Sequence, residues 1–240
     1  DDAESRDDER MRVVTVSSLP AIAVIVDPAD VEGRFLMREL SEVARTTVRG
    51  FARVRDDLWL DMNTLARTDE ASVRAAAAAA RLIVLRGTDR IGVARTAPAV
   101  WYWPAASDTA TEFFQGDWYI TPRVPASPLA GRLAAAAWDS VPPLTGIVPF
   151  VAGGAEWVAV TGRRARRGVD RPVLIGRDSS GTRRLTTAGS GLWRWILRGG
   201  AARETYRTFV AAGTDWLLQA GAAQSTALLT AEQVTQRGVP

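Results

Sequence analysis

The sequence predicts an α/β fold: a central, mainly parallel sheet flanked by helices, followed by an antiparallel C-terminal meander and a closing helix. Three observations predict it. The first half alternates β-branched runs with segments of helical spacing, the signature of strand–helix–strand units. The second half carries three strand-like runs joined by short polar turns. A long amphipathic stretch then closes the patterned region.

Residues 1–11, "DDAESRDDERM", are almost all charged and read as a solvated arm. This start has neither an initiator Met nor an apolar leader core, which fits a mature chain after leader removal as well as a trimmed one. "RVVTV" (12–16) and "AIAVIVD" (21–27) are β-branched and read as strands, the second buried on both faces. In the helix that follows, Asp30 is the expected N-cap, and Val31, Phe35, Leu36, Leu40 and Val43 keep helical spacing. "TVRGFARV" (47–54) is a strand. "TDEASVRAAAAAA" (68–80) is a helix capped by Thr68 or Asp69, because alanine loses no side-chain entropy there. "RLIVLRG" (81–87) and "PAVWYWPAA" (98–106) are further strands.

From 104 to 154 the pattern weakens. Proline and glycine punctuate it, and apart from a short helix at 128–138 it reads as an irregular segment wrapping the sheet edge. Strands return at 155–164, 171–178 and 182–189. "AGSGLWRW" (188–195) opens a short helix, and the closing helix runs from about 202 to 219 with Tyr206, Phe209, Val210, Gly213, Trp216 and Leu217 on one face. The organisation is thus an arm (1–11), one domain (12–219) and a tail (220–240).

Composition excludes several chemistries. The chain has no Cys, no His and no Lys; its 30 basic residues are all Arg, against 27 acids, for a net charge of +3. It therefore lacks an imidazole base, a thiol nucleophile, a Schiff-base lysine, and any histidine or thiolate metal ligand. Catalysis would fall to carboxylates, hydroxyls or an oxygen-ligated metal. No apolar run is long enough to span a bilayer.

Several stretches are candidate sites. Asp27 ends the first central strand, where α/β folds place ligand groups, and Asp30 follows three residues later; two carboxylates there could hold a divalent ion, although capping is the plainer role for Asp30. With Gly87, and with Gly189 and Gly191 at the start of a helix, they outline a small-ligand or anion site. "DSSGT" (178–182) matches a D-x-S-x-T metal pattern, but a strand follows it rather than a helix, so it reads as a turn. Arg163, Arg164, Arg166 and Arg167 crowd one turn, suited to an acidic protein or anionic lipid headgroups, or else a solvated hairpin tip. The nearly balanced charge argues against nucleic acid. Of the nine tryptophans, Trp101, Trp103, Trp118, Trp193 and Trp195, together with Tyr119, are candidates for a partner surface. Trp101, Tyr102 and Trp103 cannot share one strand face, so one of the two tryptophans is expected on the opposite side. Trp216, Tyr206 and Phe209 read as core, with Trp193 and Trp195 divided between core and surface.

The stretches "AIAVIVDPADVEGRFLMREL", "RLIVLRG", "SPLAGRL" with "VPPLTGIVPF", and above all "RPVLIGRDSSGTRRLTTAGSGLWRWIL" with "YRTFVAAGTDWLL", resemble glutamine-amidotransferase-like domains. The resemblance is to those of aerotolerance-type bacterial membrane proteins that also carry von Willebrand factor A domains. It covers roughly 12–219, with Ser127 standing where the family has His. It implies a class I, flavodoxin-like α/β fold. The Cys–His–Glu triad of active amidotransferases cannot exist here, so the resemblance implies a non-catalytic domain.

These readings converge on a non-enzymatic structural subunit, periplasmic and peripherally associated with the bacterial envelope, which binds subunits of a membrane protein complex and needs no cofactor. The periplasmic face of a photosynthetic reaction-centre and antenna assembly is one example of such a complex. A small-ligand domain around Asp27 and Gly87 is the alternative, and a carboxylate- or metal-dependent hydrolase built on Asp27 and Asp30 a further one.

Overall fold

The computed structural model describes residues 21–105, 113–121, 123–150, 153–164 and 168–219. The charged arm, the strand expected at 12–16, Arg166, Arg167 and the tail from 220 lie outside the described residues.

Strand β1 (Ile22–Asp27) is buried along its whole length. Helix α1 (Val31–Val43) follows, and Asp30 caps it by accepting the Gly33 N–H at 2.7 Å. Strands β2 (Val48–Arg55), β3 (Leu58–Asp61) and β4 (Arg67–Thr68) form an antiparallel edge. Helix α2 (Glu70–Ala79) is capped by Asp69, which accepts the Ser72 N–H at 2.7 Å. Strands β5 (Leu82–Gly87) and β6 (Ala99–Trp103) complete the α/β half.

After these come β7 (Phe114–Ile120), α3 (Ala130–Leu133) and β8 (Leu144–Ile147), then β9 (Glu156–Arg163), β10 (Arg171–Ser179), β11 (Thr182–Thr187) and β12 (Gly189–Ser190). Helices α4 (Trp193–Arg198) and α5 (Gly200–Leu218) close the chain. One twelve-stranded sheet results, in the order β12-β8-β7-β9-β10-β11-β6-β5-β1-β2-β3-β4.

This corrects the expected fold class. The sheet is mixed and mostly antiparallel: only β2–β1, β1–β5, β5–β6 and β6–β11 pair in parallel, and the other seven neighbouring pairs are antiparallel. The flavodoxin-like, mainly parallel sheet is therefore not what this chain forms. Two regions produce the difference: 58 to 68, where β3 and β4 extend the edge antiparallel, and 104 to 154, expected to be irregular. There β7 and β8 add antiparallel strands, with β7 pairing β9 through Tyr119–Arg163 and Ile120–Gly162. Gly116, at φ +122 inside β7, interrupts the alternation that announces a strand.

Both faces of β1 are covered. Ile22, Val24 and Val26 join the larger core with Leu36, Leu40, Trp101, Trp103, Trp195 and Phe209, under α1, α4 and α5. Ala23 and Ile25 join a smaller core with Phe51, Val73, Ala77 and Ile83, under α2. The expectation that Trp101 and Trp103 face opposite ways is also corrected. Both lie in the larger core, and Tyr102 alone points to the other side, because side chains two apart on a strand share a face.

Candidate functional site

The carboxyl ends of β1 and β5 lie side by side, with Asp27 opposite Gly87. Gly87 has φ +90, and a Cβ on it would overlap the Asp27 carbonyl oxygen, so only glycine fits this close approach. Asp27 is buried and meets two arginines. Arg53 Nε from β2 donates to its Oδ1 at 2.7 Å, and Arg90 Nε stands 3.5 Å from its Oδ2.

Arg86 organises the neighbouring groups. It comes from β5, is buried, and contacts Asp30 at 2.7 Å and Glu32 at 3.4 Å; it also donates to the Pro104 carbonyl. Glu32, in the first turn of α1, accepts the backbone N–H groups of Gly191 at 3.2 Å and Leu192 at 2.8 Å. Burial raises the Glu32 pKa above its ordinary value, against the lowering pull of Arg86 and of these two N–H donors. The hydroxyl of Tyr206, buried on α5, has no hydrogen-bond partner among the described residues, and burial with the nearby Glu32 raises its pKa.

The fold thus brings four of the five residues of the expected small-ligand site into one neighbourhood: Asp27, Asp30, Gly87 and Gly191. Gly191, at φ +89, aims its N–H at an anion, as its place before a helix suggested. That anion is the chain's own Glu32. Gly189 is placed by packing instead, since a Cβ there would stand 2.7 Å from Leu144 Cδ1. Asp30 is engaged twice, by the Gly33 N–H and by Arg86. Among the described residues no three acidic side chains converge as a metal would require. Glu32, Arg53 and Arg86 escaped the sequence reading. The one signal for Glu32 was an acid in the first turn of α1, which ordinarily reads as a favourable charge at a helix start.

The candidate partner surface divides. Trp101, Trp103 and Trp195 are wholly buried and Trp118 nearly so, so in the folded chain none of the four presents a face to a partner. Three of their ring nitrogens bond within the interior. Trp101 donates to Thr187 Oγ1 at 2.8 Å, Trp118 to the Phe114 carbonyl at 3.0 Å and Trp195 to the Pro142 carbonyl at 2.9 Å. Trp193 is partly exposed and stacks on Phe35, with ring centroids 6.3 Å apart. Tyr119 is 54% exposed.

Near it, Arg163 pairs with Asp170 at 2.7 Å, Arg164 is exposed, and Arg171 lies 4.9 Å over the Phe114 ring. Phe114, Trp118, Arg164, Gly168, Val169 and Arg171 line a hollow of about 370 Å³, and Val169 is 80% exposed. The "DSSGT" stretch is a two-residue hairpin turn, with Ser180 at φ 50 and Gly181 at φ 80 between β10 and β11.

No protein-family profile matches this chain, and no curated protein does. At the level of fold, and no further, it is similar to a solved structure from Thermoplasma acidophilum described as that of a GMP synthase subunit. That likeness has a TM-score of 0.43 and 10% identity, over 84% of this chain and 97% of that one. It is also similar to the carbohydrate deacetylase Agd3, with a TM-score of 0.44 and 8% identity, over 80% of this chain and 33% of that one.

Proposed function

We propose that this chain is a non-catalytic interaction subunit of the bacterial envelope, an aerotolerance-type amidotransferase-like domain without catalytic Cys or His, which docks on a membrane protein complex from the periplasmic side. The observation that carries this reading is the β7/β9–β10 end of the sheet. Val169 is exposed there beside Arg164 and Arg171 around an open hollow, and Tyr119 is exposed on β7, next in sequence to Trp118 of the hollow. Aromatic and arginine side chains in that arrangement are the residue types that dominate protein–protein hot spots. The buried carboxylates support the same reading. Asp27, Asp30 and Glu32 are engaged by arginines and backbone N–H groups of this chain rather than turned outward.

The test is gentle detergent extraction of native membranes, with crosslinking and identification of the proteins captured by this chain. A stoichiometric membrane complex, lost on Tyr119→Ala with Arg164→Glu, is the expected result. Recovery of the chain alone, without any crosslinked partner, overturns the reading.

A further inference from the structure

A second exposed surface lies where α1 meets α4. Phe35 and Trp193 stack across the two helices. Val31, one turn before Phe35, is 48% exposed, and Leu197, one turn after Trp193, is 64% exposed. Four apolar side chains thus form a stripe across two helices, in a protein whose other large rings are mostly buried.

Arginines border the stripe. At 100° per residue, Arg34 and Arg38 fall within about a quarter-turn of Phe35 on α1, and Arg194 and Arg198 flank Trp193 and Leu197 on α4. Arg38 and Arg203 share Glu42, at 3.3 and 3.4 Å. Arg194 donates to the Pro143 carbonyl, and among the described residues no carboxylate pairs with Arg34, Arg194 or Arg198. With Arg203 and its exposed neighbour Glu204, which acts on Glu39 of α1, the face carries five arginines against two acids.

We infer that this α1–α4 face rests on an anionic lipid surface. Uncompensated arginines match the charge of acidic headgroups, and partly exposed Trp, Phe, Leu and Val side chains match the boundary just beneath them. The two rings pack on each other at the centre of the face, and a hollow of about 540 Å³ opens beside them between Arg34, Phe35, Arg38, Glu42 and Met62. What selects a lipid surface is the excess of arginine around exposed apolar side chains. The inference deepens the docking reading and rests on it for the presence of a membrane, adding direct lipid contact through a surface distinct from the Tyr119 end.

The test is co-sedimentation of the full chain with vesicles of phosphatidylcholine alone, and of equal parts phosphatidylcholine and phosphatidylglycerol. Binding to the mixed vesicles only, weakened by salt, is expected. Arg34→Gln with Arg198→Gln should weaken it about 30-fold, from the loss of two cations at the surface. Leu197→Ser should weaken it about fivefold. All three side chains are exposed, and far-UV circular dichroism confirms that the variants fold.

No binding to the mixed vesicles, equal binding to both kinds, or binding untouched by these substitutions overturns the inference. So does membrane attachment that disappears when the membrane's proteins are removed, which would assign the face to an acidic protein. Crosslinking through Tyr119 that survives while vesicle binding fails removes this inference alone. Vesicle binding without any crosslinked partner removes the docking reading alone.

Discussion

Glu32 Oε1 accepts the Leu192 backbone N–H at 2.8 Å, tying the first turn of α1 to the start of α4. The same carboxylate takes the Gly191 N–H and faces Arg86, so one side chain joins the parallel strands to the C-terminal helices.

Removing that carboxylate should unseat the C-terminal helices. Glu32→Ala leaves two buried N–H groups without an acceptor and weakens the setting of Arg86, at a cost of about 3 kcal/mol. Glu32→Gln keeps one acceptor oxygen for the Leu192 N–H but turns an NH2 donor toward the Gly191 N–H and Arg86, so it should cost less than the alanine variant, about 2 kcal/mol. Urea denaturation measures both values, and hydrogen exchange at Gly191 and Leu192 should quicken in the alanine variant. Equal costs for the two variants would show that the N–H seat is not what Glu32 contributes.

Glu39 should make the fold less stable as pH rises. It is buried, its Oε1 accepts no hydrogen bond from the described residues, and Arg207 stands 3.9 Å away. Burial first, and then the charge of Glu42, raises its pKa above the ordinary 4.5. A group raised in the folded state binds its proton more tightly there than in the unfolded chain. Its contribution is therefore complete below 4.5 and is lost as pH climbs through the raised value; Glu32 shifts in the same direction. Glu39→Gln should flatten this slope and stabilise the protein at neutral pH by about 1 kcal/mol. Thermal melts from pH 4.5 to neutrality test the sign, and a slope unchanged in the variant contradicts it.

Gly87→Ala should be severe. The residue sits at φ +90 with the Asp27 carbonyl where a Cβ would go, so strain and overlap act together. A loss of roughly 3 kcal/mol or more, or failure to accumulate folded protein, is expected. An alanine variant with a normal midpoint in denaturant would mean that the strand ends can part without cost.

Trp101→Phe separates core from partner roles. It removes the hydrogen bond to Thr187, a fully buried hydroxyl, and part of the contact with Trp103 and Phe209. The expected cost is about 2 kcal/mol of stability. Capture of membrane partners by the folded variant should be unchanged, and a selective loss of capture at full stability would return Trp101 to the interface.

What could be read from the sequence is local. Asp30 and Asp69 sit before helix-spaced runs, and each caps its helix because a carboxylate beside free N–H groups needs only a few neighbouring residues to act. The turn at Ser180–Gly181, the apolar face of α5 and the buried run of β1 are equally short-range. The absence of Cys, His and Lys needs no structure at all. What the tertiary structure decided is non-local. The direction in which β7 and β8 join the sheet depends on partners such as Arg163 and Gly162, about 40 residues away, and their own residues carry a broken alternation. Whether Trp101 or Tyr102 faces the larger core depends on where α5 packs. Glu32 and Leu192 lie 160 positions apart, and only closure of the whole sheet brings a buried acid to the N–H groups that require one.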